Sequence, residues 1–97
     1  MSFIDWSDAE EMFGLLVEYV ADEHNEAEEA TRRAFLSRLK RQLDELQWSF
    51  EALPPIEAID SLRAIHRSIP DEFEGDSVVE HLGAYVEELE RVHASAA

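Results

Sequence analysis

From Leu36 onward the apolar residues recur in a strict alternation of three and four, through Leu36, Leu39, Leu43, Leu46, Phe50 and Leu53. Few folds accept that spacing. On an α-helix it draws one narrow seam, whereas on a strand the same residues would scatter over both faces. The seam fails upstream, where Glu29 and Arg32 hold the corresponding positions. It therefore spans fewer than three heptads, too short for a free-standing coiled coil, and needs other helices to cover it.

The rest of the chain supplies those helices. Ser7 with Glu10 has capping-box spacing and predicts the start of helix 1, whose apolar face carries Ala9, Phe13, Leu16, Val17 and Val20. Met12, Leu15 and Tyr19 widen that face, and Asp8, Glu11, Glu18 and Asp22 form the opposite stripe. Asn25 followed by Glu28 offers a second cap, so a break is expected near His24. Helix 2 is then expected from Glu26 to about Ala52, roughly 40 Å at 1.5 Å per residue, and Pro54-Pro55 ends it. Pro55 suits the first turn of helix 3, which carries Ile59, Leu62, Ile65 and Ile69 before Pro70 stops it. Pro70 to Asp76, with Gly75, reads as a loop. Ser77 with Glu80 repeats the capping-box spacing and opens helix 4, faced by Val78, Val79, Leu82, Tyr85, Val86, Leu89 and Val92.

The expectation is an all-α fold, a small antiparallel bundle of four helices, or three if helices 1 and 2 are continuous. It is one domain over residues 1–97, with an N-terminal tail at 1–6 and a frayed C-terminus at 94–97. At 45% hydrophobic residues the chain has enough apolar material to fold, unlike a disordered acidic tail.

Charge narrows the partners. The chain has 23 acidic residues against 8 basic, a net charge of −15, and ten of the acids precede Arg32, the first cation. Such a balance repels phosphate backbones and anionic membranes and favours basic partners. The longest apolar run, around Leu15, Leu16 and Val17, is far short of the roughly 20 residues that a membrane span needs. The first residues have neither the basic start nor the apolar core of a secretory signal, which predicts a cytoplasmic location. Seven of the eight cations are Arg and only Lys40 is Lys. A GC-rich genome or a high-salt cytoplasm would each produce that bias.

Cysteine is absent, which removes disulfides, thiolate catalysis and cysteine-ligated zinc. Glu90 and His93 have Glu-x-x-His spacing, and His24 and Glu28 lie one turn apart, so these four are the candidate metal ligands of a bundle. A di-iron carboxylate site needs two Glu-x-x-His pairs, and one exists. His93 is better explained as a cation at a helix C-terminus. His66 and His81 border apolar faces, where a hydrogen-bonded structural role outweighs a pH-sensitive contact. The serines lack a nucleophile elbow, and Gly14, Gly75 and Gly83 are too far apart for a phosphate loop. No enzyme activity and no cofactor are expected.

Arg32, Arg33, Arg38, Lys40 and Arg41 form the only positive cluster, with no acid between Glu29 and Asp44. Surrounded by so many carboxylates, it is expected to pair with helices 1 or 4, in one subunit or across a dimer, rather than with nucleic acid. Trp48 falls on the outward heptad position in line with Arg41. Core packing under Phe3, Ile4 and Trp6 is the favoured expectation, and an interface anchor the competing one. Phe35, beside the seam, allows the same two readings. The acidic stripes could also imitate nucleic acid, since carboxylates one turn apart lie about 5 to 6 Å from each other.

The functional expectation is a non-enzymatic acidic module, regulatory, adaptor or inhibitor-like, that binds a basic protein partner. Its contact residues would come from Asp8, Glu11, Glu18, Asp22, Arg38, Arg41, Trp48, Glu80 and Glu87. The alternatives are a structural homodimer through helix 2, with Leu43 and Leu46 in its core, and a metal-binding bundle.

Overall fold

A computed structural model describes residues 6–50 and 52–96, with the side chains of 9–50 and 52–94. The seam of α2 (Ala30–Phe50) is spent inside one chain: Leu36, Leu39, Leu43, Leu46 and Phe50 are all buried. Covering it are α1 (Trp6–Glu26), α3 (Pro55–Arg67) and α4 (Ser77–Ala96). Each helix packs chiefly on its chain neighbours, and α1 closes the ring against α4. Contacts set the directions. Phe13 near the start of α1 stacks on Phe50 at the end of α2, and going forward along α3 from Arg63 to His66 the neighbour on α4 moves back from Glu90 to Gly83, so each pair runs oppositely. The molecule is thus a four-helix antiparallel bundle, 42 Å long and 23 Å across, with no strand among the described residues.

The core is apolar throughout. Ala9, Phe13, Leu16 and Val20 of α1 meet the α2 seam, Ala58, Ile59 and Leu62 of α3, and Val78, Leu82, Val86 and Leu89 of α4. Among the described residues no charged side chain is buried, and the one hydroxyl inside, that of Tyr85, donates to the Ala9 carbonyl oxygen at 2.7 Å. A buried phenol needs such an acceptor, and the same burial pushes its pKa up from 10.0.

Helix boundaries depart from expectation by one to four residues. Ser7 lies inside the first turn of α1, which takes in Trp6. Helices 1 and 2 are separate, but the break falls at 27–29 rather than near His24, which belongs with Asn25 to α1. Glu28 and Glu29 disfavour a helix C-terminus and favour an N-terminus, and the Glu29 carbonyl accepts the first α2 bond from the Arg33 amide at 2.9 Å. The Arg33 side chain then turns back, its Nη2 and Nε donating to the buried Ala27 carbonyl at 2.6 and 3.1 Å. One arginine thereby closes the end of α1.

Pro55 opens α3 as expected, and Ser68 closes it, its hydroxyl donating to the Ile65 carbonyl oxygen at 2.7 Å. The loop after Pro70 contains one turn of 3-10 helix (Asp71–Phe73). Gly75 follows with φ of 91°, a conformation that side chains with a Cβ rarely adopt. The cap of α4 is Asp76, not Ser77: its carboxylate accepts from the Val78 amide at 3.0 Å and its carbonyl from the Glu80 amide at 3.0 Å. At the C-terminal end α4 runs on to Ala96.

Candidate functional site

Three surfaces bring functional side chains together. The first is the outer side of α1 and α4. Glu11, Glu18 and Asp22 repeat at helical spacing opposite the buried Ala9, Phe13, Leu16 and Val20, and all three are exposed. Asp8 lies on the same helix face of α1, its side chain outside the described residues. Leu15 stands within this acidic stripe and is 61% exposed, although the sequence pattern counts it with the apolar face. It borders a groove of about 270 Å³ with Met12, His81, Ala84, Tyr85 and Glu88. His81 stacks on Tyr19 at 4.7 Å between centroids and ties α4 to α1 beside the groove. Glu80 and Glu87 are exposed on the outer face of α4.

Several carboxylates of this side form no ion pair among the described residues. Arg32, Lys40, Arg63 and Arg91 are the cations that form ion pairs among the described residues, and their partners are Glu23, Asp76, Asp44, Asp60, Glu90 and Glu88. Glu11, Glu18, Asp22, Glu80 and Glu87 have none. Each added anion in such a field attracts cations and repels anions more strongly.

The second surface is the outer face of α2. Trp48 is 93% exposed, so the expected second packed face does not form. The reason is topological: α1 and α3 flank the inner side of α2, and no described element crosses its back. Phe3 and Ile4, the expected cover, lie outside the described residues, as does the side chain of Trp6. Arg41 and Arg38 are exposed on this helix without an ion pair among the described residues, while Lys40 reaches Asp44 at 3.3 Å. The positive cluster is therefore divided. Arg32 alone pairs with helices 1 and 4, its Nε and Nη2 donating to the two Asp76 oxygens at 2.8 and 3.2 Å and Nη2 also to Glu23 at 3.3 Å. That guanidinium holds the Asp76 carboxyl below its ordinary pKa.

The third is a groove of about 310 Å³ between α2 and the loop after α3, floored by Phe35, Leu39, Ile69 and Phe73. Phe35 is buried because Phe73 stacks on it, 4.1 Å between centroids with planes 10° apart. Phe73 carries no periodic signal, since it lies in a single 3-10 turn.

The candidate metal ligands do not converge. His24 and Glu28 lie at the end of the bundle where α1 gives way to α2, and Glu90 and His93 lie at the other. Glu90 is instead held by Arg63, at 2.8 and 3.1 Å. Among the described residues no three His, Asp or Glu side chains are grouped to hold an ion. His66 rests against Gly83, where a Cβ would come within 3.1 Å of its Nε2, which permits close approach of α3 and α4. No helix among the described residues is long and apolar enough to cross a membrane. No known protein family, characterised protein or solved structure matches this chain.

Proposed function

We propose that this chain is a non-enzymatic acidic interaction module that binds a basic protein partner on the outer side of α1 and α4. The observation that carries the reading is the stripe Glu11, Leu15, Glu18, Asp22: three exposed carboxylates, without an ion pair among the described residues, around an exposed leucine. An exposed apolar group rimmed by charge suits an amphipathic helix, with Leu or Ile side chains over Leu15 and Ala84 and Lys or Arg side chains along the carboxylates. Regulatory, adaptor and inhibitor roles all use this kind of contact.

The test is an NMR titration with a synthetic amphipathic helix of Lys and Leu, with a Lys and Ser peptide of equal charge as control. Shifts should centre on residues 11, 15, 18, 22, 84 and 87, affinity should fall as salt rises, and the control should bind more weakly. Glu11→Lys with Glu18→Lys should abolish binding. Equal binding of both peptides, or shifts scattered over every acidic residue, would mean a diffuse ionic cloud rather than a site.

A further inference from the structure

We propose that the outer face of α2 is the seat of a twofold-symmetric dimer, with α2 of a second copy of this chain laid antiparallel across it. The inference does not rest on the acidic face of α1 and α4. It comes from the stripe Ser37, Arg41, Asp44, Trp48, spaced four, three and four, on the side of α2 opposite its buried seam. Ser37, Arg41 and Trp48 are exposed, and the Asp44 side chain is 42% exposed.

Read in reverse, the stripe is its own complement. A twofold axis between Arg41 and Asp44 sets Ser37 against Trp48 of the second copy and Arg41 against its Asp44, and each contact occurs twice. The indole, the largest exposed apolar group among the described residues, meets one of the smallest side chains, and each guanidinium meets a carboxylate. An open hollow bounded by His24 and Asn25 at one end and by Trp48 at the other has Ser37 on its wall, so it lies where the second indole would arrive. In the same register Arg38 flanks Glu45 of the second copy, and both side chains are exposed without an ion pair among the described residues. A parallel arrangement would set Arg41 on Arg41 and Asp44 on Asp44.

Charge selects this face over those of α1 and α4. Two bodies of net charge −15 repel, and the α1 and α4 faces would meet carboxylate to carboxylate. The back of α2 carries Arg33, Arg38, Lys40 and Arg41 against Asp44 and Glu45, so two copies approach there with less repulsion than on the α1 and α4 faces. One helix pair buries a small area, which predicts a reversible dimer at the low end of specific interfaces, below about 1,200 Å².

Sedimentation velocity on the full chain, up to ~1 mM, tests it. The natural sequence should show a concentration-dependent dimer, Trp48→Ser should weaken it about tenfold or more, and Arg41→Asp or Asp44→Arg alone should leave monomers. The pair Arg41→Asp with Asp44→Arg should restore the dimer. Because the chain has no cysteine, a mixture of Ser37→Cys and Trp48→Cys proteins should form a mixed disulfide that neither forms alone as readily. Helicity by circular dichroism checks that each variant is folded. Monomers at every concentration, a dimer indifferent to Trp48→Ser, or no rescue by the double exchange would overturn the proposal. The dimer should also persist at salt concentrations that release a cationic peptide from α1 and α4, so either site can fail without the other.

Discussion

The two ends of the bundle are closed by different chemistry. At one end α1 stops, α2 starts and α4 starts, and charged groups hold them: Arg32 bridges Glu23 and Asp76, and Arg33 closes the Ala27 carbonyl. Toward the other end Phe13 stacks on Phe50, 4.8 Å between centroids with planes 12° apart, and meets Tyr85 at a tilt of 40° with centroids 6.2 Å apart. The difference follows from where backbone groups lack partners. Both ends gather helix termini, but at the charged one the Ala27 carbonyl and the Val78 amide are met by polar side chains, those of Arg33 and Asp76. The turn at the aromatic end contains Pro54 and Pro55, which have no amide hydrogen to satisfy, so packing can dominate there. Stability is therefore expected to be concentrated in the aromatic end, and its pH dependence in the charged one.

Phe13→Ala is the strongest way to break that comparison. Phe13 is 1% exposed, and removing it should cost about 3–5 kcal/mol through lost burial and the cavity left behind. Urea denaturation at neutral pH measures it. With Phe50→Ala as the second arm of a double-mutant cycle, a coupling of about 0.5–1.5 kcal/mol should remain beyond area effects. A loss below about 1 kcal/mol would place the core's weight elsewhere.

Arg32→Met should cost less, about 1–2 kcal/mol, because the arginine side chain retains 25% exposure and water screens part of the pair. Its sharper signature is in pH. A carboxyl whose pKa falls on folding adds stability above its unfolded value, here 3.8, and loses it as pH drops through the lower folded value. The acid limb of the natural protein should therefore weaken below pH 3.8, and Arg32→Met, which removes the largest cause of the shift, should flatten that part of the profile. Urea midpoints at matched pH values decide it. An unchanged acid limb would mean that Asp76 is held mainly by the α4 amide.

These two ends were unequally legible in the sequence. The α2 seam and the faces of α1 and α4 follow from period alone, since Leu36 to Phe50 repeat every 3.5 residues whatever packs on them. Boundaries are harder, because several good caps compete within a few residues and tertiary contacts decide. Asp76 was selected over Ser77 by Arg32, 44 residues away, and no local rule contains that partner. The candidate surfaces divide in the same way. The outward direction of Glu11, Glu18 and Asp22 is written in their spacing, but the exposure of Trp48 and Leu15 depends on which element covers which back, a property of topology rather than of neighbours in sequence.

Tyr85 connects the aromatic end to hydrogen bonding and gives a smaller effect. Tyr85→Phe removes one bond to the Ala9 carbonyl and should cost about 1 kcal/mol. Because burial raises the phenol's pKa above 10.0, its contribution is complete below that value and declines as pH rises past it, when the unfolded chain ionises first. The natural protein should lose stability faster than Tyr85→Phe above pH 10, as thermal unfolding at alkaline pH would show.

The finest test applies one substitution to both ends and expects opposite signs. Gly14 follows Phe13 inside α1, and a Cβ there would find its nearest neighbour, Gln47 Nε2, at an ordinary 3.8 Å. Gly14→Ala should stabilise by roughly 0.4–1 kcal/mol, through helix propensity and a less free unfolded chain. Gly75 at the charged end also has open space for a Cβ, but its φ of 91° is costly for any other residue. Gly75→Ala should destabilise by about 1 kcal/mol and shift the Asp76 cap that follows it. Equal effects would mean that the loop before α4 relaxes to a different turn, and the Arg32 clamp would then lose its reason for sitting where it does.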